Sequence, residues 1–319
     1  MIYALLSFWI LTALLILREK RVARIIIYFG VFSLITAINF FLLGSPDVAM
    51  AEAAISAFAT IFFIICFEKY YDFKIDNTDG VEHAEKKKQK KSAIVVKYLL
   101  PLGFTAFLCA LFLYFLPDDT VNTYLRDLYV LRFAQDVGGE NAVTAIYLGY
   151  RVYDTLFEAL ILVIAVVAVS HMSWFEKTSV PDGKHSEIEH SGMSVFTIRI
   201  IAPILLLFGV YLIMNGHISP GGGFQGGVAV AAFFICRYMI YNIYDIAISK
   251  IIKLEELVFV VAVLIAVFVI FLGTMAHVPE AFLQVYQEFY LLAMNILIGM
   301  KVACAFIVLF YRYIAIERM

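Results

Sequence analysis

Paired cysteines are missing from this sequence. Cys66, Cys109, Cys236 and Cys304 each stand alone in an apolar run, with no C-x-x-C anywhere. The chain therefore has no ligand set of its own for an iron–sulfur cluster or a structural zinc, and the four thiols read as small apolar core residues. Charge is scarce too: 16% of residues are charged and the net charge is −2, with no basic stripe to meet a nucleic acid. Nor does a basic segment precede the first apolar run, Met1 to Leu17. Arg18, Lys20, Arg21 and Arg24 follow it instead, the charge order of a retained helix with its N-terminus outside rather than of a cleaved signal.

What the chain does have is hydrophobic length. It is 63% hydrophobic with a mean hydropathy of +0.90, against roughly 45–50% apolar residues in a soluble domain. A membrane span needs about 20 apolar residues, and nine stretches come close: 1–17, 22–43, 46–67, 94–116, 142–170, 196–215, 223–242, 255–275 and 288–311. With the N-terminus outside, 20 of the 24 Lys and Arg fall in inner segments and three, Arg126, Arg132 and Arg151, fall outside. That asymmetry is the positive-inside pattern. The expectation is an all-α integral membrane protein of about nine helices, with its C-terminus cytoplasmic.

Two polar linkers divide it. The expected organisation is a three-helix unit over 1–70, a charged cytoplasmic linker over 71–93, a two-helix unit over 94–172, a second linker over 173–194, and a four-helix unit over 195–319. The first linker carries "EHAEKKKQKK"; in the second, His185 and His190 flank two glutamates and read as a solvated tether. Residues 117–141 are outside and space their apolar residues as a helix lying along the membrane surface would.

Ionisable side chains within spans are costly and need a reason, about 2.5–3.5 kcal/mol each on insertion scales. Asp47 and Glu52 lie in "SPDVAMAEAAISAF", Asp154 and Glu158 in "YRVYDTLFEALILV", and Lys301 in "NILIGMKVACAF". Asp154 and Glu158 are four residues apart, so they share a helix face. Away from water, such a pair would share a proton, hold Na+, or meet a cation such as Lys301. A structural ion pair is the competing role. Ala at 49, 51, 53, 54 and 57 lets another helix come close to Glu52. His217 and His277 near the outer surface, and His171 near the inner one, are candidate proton shuttles.

"SPGGGFQGG" at 219–227 contains the spacing G-x-G-x-x-G at Gly221, Gly223 and Gly226. A dinucleotide turn would need a strand before it and a helix after. Here both flanks are long enough to be spans, so the match is accidental. Pro220 ends one helix. The glycines Gly221, Gly222, Gly223, Gly226 and Gly227 let the chain turn tightly beside Phe224 and Gln225. Irregular backbone at membrane depth must pack against protein or line a wet cavity.

These residues carry a resemblance. "SPGGGFQGGVAVAA" resembles the signature of the MrpB/MnhB subunit of multisubunit Na+/H+ antiporters. "GSPDVAMAEAAISAFATIFFIICF" and "NAVTAIYLGYRVYDTLFEALILV" are similar to successive segments of the C-terminal part of MrpA. In Mrp-type membrane-bound hydrogenase and sulfane reductase complexes the three pieces are separate small subunits; here they look fused. Ala51 and Phe157 depart from the family, which often has Thr and Gly there. The resemblance implies Na+ or H+ translocation, with Glu52, Asp154 and Glu158 at its acidic positions. It also implies small Mrp-type membrane partners and a large antiporter-like subunit, and, in a hydrogenase-type host, NiFe and iron–sulfur subunits. Sodium/proton antiport without a redox centre in this chain, in the plasma membrane of a prokaryote, is the expected function. The rival is a scaffold subunit of a stand-alone antiporter with no ion path of its own.

Overall fold

A computed structural model describes residues 2–70, 103–111, 114, 123–172, 192–241, 247–275 and 280–315, and every regular element among them is helical. In chain order these are α1 (Ile2–Arg18), α2 (Val22–Leu42), α3 (Pro46–Tyr70), α4 (Tyr124–Asp136), the single turn α5 (Ala142–Ala145) running through a π-helical turn (Ile146–Tyr150) into α6 (Val152–Met172), then α7 (Gly192–Asn215), α8 (Gly223–Tyr241), α9 (Ile248–Met275) and α10 (Glu280–Ala315). Residues 103–111 are also helical. Among the described residues six helices are long and apolar enough to cross a membrane, within α2, α3, α6, α7, α9 and α10; α1 and α8 carry shorter apolar stretches. Of the stretch 94–116 only part is described, and His277, with both linkers apart from the start of α7, lies outside the described residues.

The chain forms two compact units, Met1–Phe67 with Tyr129–Met319, and Glu68–Leu128. In the smaller, Thr123 precedes α4 and its hydroxyl donates to the Asp127 carboxylate at 2.8 Å. That bond, with Arg126 beside it, holds the Asp127 carboxyl below its usual range.

The larger unit is built around α10, whose apolar stretch is two-thirds buried whereas those of the other five long helices are about one-fifth buried. Its residues Ile298, Val302, Ile307, Phe310 and Tyr311 join Phe58 of α3, Ala159 of α6 and Val228, Ala231 and Ile235 of α8 in one core. Tyr290, Leu291 and Met294 join Leu148 and Val152 with Ala262 and Ala266 of α9 in a second. The outward faces stay apolar. On α9, Leu257, Val260, Leu264, Val267, Phe268 and Phe271 are all more than half exposed, the stripe expected of a helix that faces lipid. α2 ends where Gly44, at φ +77°, closes a left-handed cap: its N–H bonds the Phe41 carbonyl and that of Ser45 bonds Phe40. Pro46 then opens α3, where a missing N–H costs nothing.

Candidate functional site

The polar centre of the larger unit forms where α3 begins and α7 turns into α8. Asp47, in the first turn of α3, is 7% exposed. Its Oδ1 accepts from Asn141 Nδ2 at 3.0 Å and from the Gly221 N–H at 3.0 Å. The carboxylate thus sits beside the N-terminus of α8, where backbone N–H groups favour a negative charge. Asn141 does two jobs. Its Oδ1 caps α5 by accepting from Val143 N–H at 2.9 Å, while its Nδ2 also reaches the Gly216 and Ser219 carbonyls, each at 3.1 Å. The His217 carbonyl accepts from the N–H groups of Glu140 and Asn141, and Thr144 Oγ1 donates to the Gly216 carbonyl at 2.5 Å. The outer turn is therefore tied from several sides. Half-buried His217 contributes its backbone; its Nδ1 is buried without a partner among the described residues.

The glycines serve contact. Gly221 and Gly222 have φ of +151° and +146°, a region that side chains disfavour, and a Cβ on Gly222 would strike the Tyr147 hydroxyl. Within α8, a Cβ on Gly223 would lie 2.5 Å from the Asn295 carbonyl, and one on Gly227 2.6 Å from that of Gly299. On the other face Gly226 meets Gly209 of α7, with 2.6 Å from such a Cβ to its carbonyl. α8 is thus wedged between α7 and α10 with backbones nearly touching, the small-residue packing that membrane helices use. Next to it, Asn295 Oδ1 accepts from the Tyr147 hydroxyl at 2.9 Å and the Gly223 N–H at 3.1 Å.

Below this cluster a crevice of about 510 Å³ opens between α3 and α6. Ala51 and Ile55 form one wall, Thr155, Glu158, Ile161 and Leu162 the other, with Tyr147, Phe224, Gln225, Ile298 and Val302 completing the lining. Its surface is mostly apolar, and Glu158 is its one carboxylate among the described residues. Glu158 is exposed and has no hydrogen-bond or ion-pair partner among the described residues.

The structure separates the charges that the sequence groups together. Asp154 is also exposed but is ion-paired with Arg151, whose Nε donates to it at 2.6 Å. Lys301 does not meet either acid. It is fully buried against Glu255 of α9, itself 1% exposed, and the two form an ion pair with Phe259 close by. Glu52 is half-buried on α3, where its carbonyl accepts from Ser56 Oγ at 2.5 Å; His171 is exposed at the end of α6. Sequence reasoning missed Asn141, Tyr147, Asn295 and Glu255. Asn141 stands before "AVTA" as an N-cap would. Asn295 is a lone amide inside a span. Glu255 falls on the apolar stripe Ile248–Ile251–Ile252–Val258, visible once α9 is started before 255.

Fold and site together define a multi-pass membrane protein whose polar groups converge at the α3–α8 junction and on one crevice. Comparison with known proteins makes this more particular. Residues 193–308 match the family described as a domain related to the MnhB subunit of Na+/H+ antiporter, and residues 7–71 match MbhD, the D component of MBH. The chain thus carries a domain related to MnhB and one that matches MbhD, and its relatives include proteins named as antiporter subunits. It is 23% identical, over 70% of its length, to a probable K(+)/H(+) antiporter A/B component of Rhizobium meliloti, covering 24% of that protein. It is 26% identical, over 49% of its length, to a putative antiporter subunit mnhA2 of Staphylococcus saprophyticus, covering 18% of it. An uncharacterized protein of Methanocaldococcus jannaschii is 30% identical over 41% of the chain and is covered over 53%. The chain thus spans about half of one of these relatives and a quarter or less of the other two. In fold it resembles a chain of the Mrp complex from Dietzia sp. DQ12-45-1b, with TM-score 0.74 and 15% identity, covering 99% of this chain and 35% of that one. A chain of the membrane-bound sulfane sulfur reductase, an archaeal respiratory membrane complex, aligns with TM-score 0.54 and 24% identity, covering 69% of this chain and 96% of that one.

Proposed function

We propose that this chain is a membrane subunit of a multisubunit Mrp-type complex and contributes to Na+ and H+ translocation through the crevice between α3 and α6. The observation that carries the reading is Glu158, a carboxylate without a protein partner among the described residues, on an apolar helix face. Such a group is too costly to leave against lipid, so an ion, a proton or a neighbouring subunit must answer it. In this reading Asp47 and Glu52, on the same helix as the crevice residues Ala51 and Ile55, and Asp154, one turn before Glu158 on α6, contribute to the path. Lys301 acts through its buried pairing with Glu255. The domain matches support, as partners, small Mrp-type subunits together with a large antiporter-like one. The match to a family named for MBH supports a redox-driven host of that kind. In this reading nine helices cross the membrane, with the N-terminus outside.

Glu158→Gln in the intact complex tests it. The change keeps size and hydrogen bonding but removes the ionisable oxygen. Assembly should be retained, and Na+-dependent pH changes in vesicles should fall by at least about tenfold, the weight of one lost ionic contact. A scaffold subunit would instead transport normally with the glutamine in place.

A further inference from the structure

Glu158 is not the only oxygen on the crevice without a hydrogen-bond donor. Gln225, at the third position of α8, is 8% exposed and lines the same space. Its Nε2 donates to the Asp47 backbone carbonyl at 3.4 Å, and that bond decides which end of the amide is left over. Oε1 lies beside Gly222 and accepts nothing among the described residues. The residue is mostly buried but lies on the crevice lining, so an acceptor on that lining is open to water or to an ion. Tyr147 presents a third oxygen. Its proton goes to Asn295 Oδ1 at 2.9 Å, while the proton of nearby Thr144 goes to the Gly216 carbonyl at 2.5 Å. Tyr147 also lines the crevice, and its oxygen, 3.4 Å from Thr144 Oγ1 and beside the Gly223 N–H, has two lone pairs with which to accept.

The three groups are one carboxylate and two neutral oxygens, and no cationic side chain among the described residues lines the crevice. An all-oxygen set suits a hard cation, and a single negative charge balances a monovalent one. At about 30 Å³ per molecule, a space of about 510 Å³ holds on the order of fifteen waters. An ion could enter with much of its hydration shell and exchange only a few waters for protein oxygens.

We infer that Gln225 Oε1 and Tyr147 Oη are the neutral ligands, beside the Glu158 carboxylate, of a site for a partly hydrated monovalent alkali cation. The inference rests on the reading of Glu158 as an ion-handling group. It makes the glycine-rich turn part of the binding site, because Gly222 leaves the space in which Tyr147 and Gln225 meet.

The test uses vesicles carrying the whole complex, with Na+ as the probe. Gln225→Leu should raise the Na+ concentration for half-maximal exchange by about tenfold, and Gln225→Glu, which adds charge at nearly the same shape, should lower it. If Gln225 only braces Asp47, the amount of assembled complex should fall while the half-saturating Na+ concentration stays unchanged, and the inference is overturned. An independent readout does not need Gln225 altered. Ile161 lines the crevice and is 64% exposed; in Ile161→Cys, Na+ should slow maleimide labelling at that position and choline should not. Equal labelling rates in the two salts would overturn the site. Should Glu158→Gln transport normally, the crevice reading itself fails. If that variant is inactive but both Gln225 variants keep wild-type Na+ dependence, only the neutral ligands fail.

Discussion

Lys301 and Glu255 show how one buried side chain fixes the meaning of another. Both are essentially inaccessible and each is the other's ionic partner. Removing one partner of such a pair leaves an isolated charge in a low-dielectric interior, which costs about 3–5 kcal/mol, whereas removing both is often neutral. Lys301→Met should therefore lower the thermal midpoint or yield of the complex, and Lys301→Met with Glu255→Met should restore it; thermal denaturation in mild detergent reads both. The lysine was legible in the sequence because it interrupts a span. The glutamate was not, because "KLEELV" looks like the charged edge of one. Asp47 shows the same limit. Its place at the start of a helix was readable from "SPD", but its partners Asn141 and Gly221 lie 94 and 174 residues away, and no local pattern announces that meeting.

Among the elements, α8 depends most on residues with no side chain. Its glycines touch α7 through Gly226 and Gly209, and α10 through Gly223, Gly227 and Gly299. Gly222→Val would combine a disfavoured φ with a clash against Tyr147, and Gly223→Val would push α10 away at Asn295. Each should cost at least the roughly 1–3 kcal/mol typical of overpacking, read as lost assembly on native gels. Leu207→Val on the exposed face of α7 should leave assembly unchanged. The glycine-rich stretch was visible as a corner from its composition, yet composition could not choose between a lined cavity and a packed contact. Helix ends were the weaker part of the reading. α9 starts at Ile248 rather than 255 because Ile248, Ile251 and Ile252 pack onto Val166, Ala305 and Val308, while Lys250, Lys253 and Glu256 keep to the exposed side. α10 runs from Glu280 to Ala315, well past both ends of 288–311.

For the molecule as a whole, the large apolar surfaces of α1, α2, α7 and α9 call for lipid or neighbouring subunits, and that much follows from hydropathy alone. Orientation rests on the distribution of Lys and Arg. Single cysteines placed within 70–92 or 176–192 should react with impermeant thiol reagents only from the cytoplasmic side, and those within 118–140 only from outside. Opposite labelling of either linker would invert every depth assigned to Asp47, Glu158 and Lys301. What the sequence could not supply is the sharing of work between segments. Asp47 in the part that matches MbhD neutralises the helix terminus of the part that matches MnhB. Both border a crevice whose carboxylate comes from the stretch between them.

The length of α10 has a mechanical consequence. Its 36 residues span about 54 Å at 1.5 Å per residue, far more than the roughly 30 Å of hydrocarbon it must cross. A free helix with such an excess would tilt to hide it. This one is pinned on two sides within two turns, at Asn295 by Tyr147 and Gly223 and at Lys301 by Glu255. Sliding or rotating it would break both pins together. α10 therefore keeps its register only together with the π-helical turn that leads into α6, with α8 and with α9, which hold the other ends of those pins.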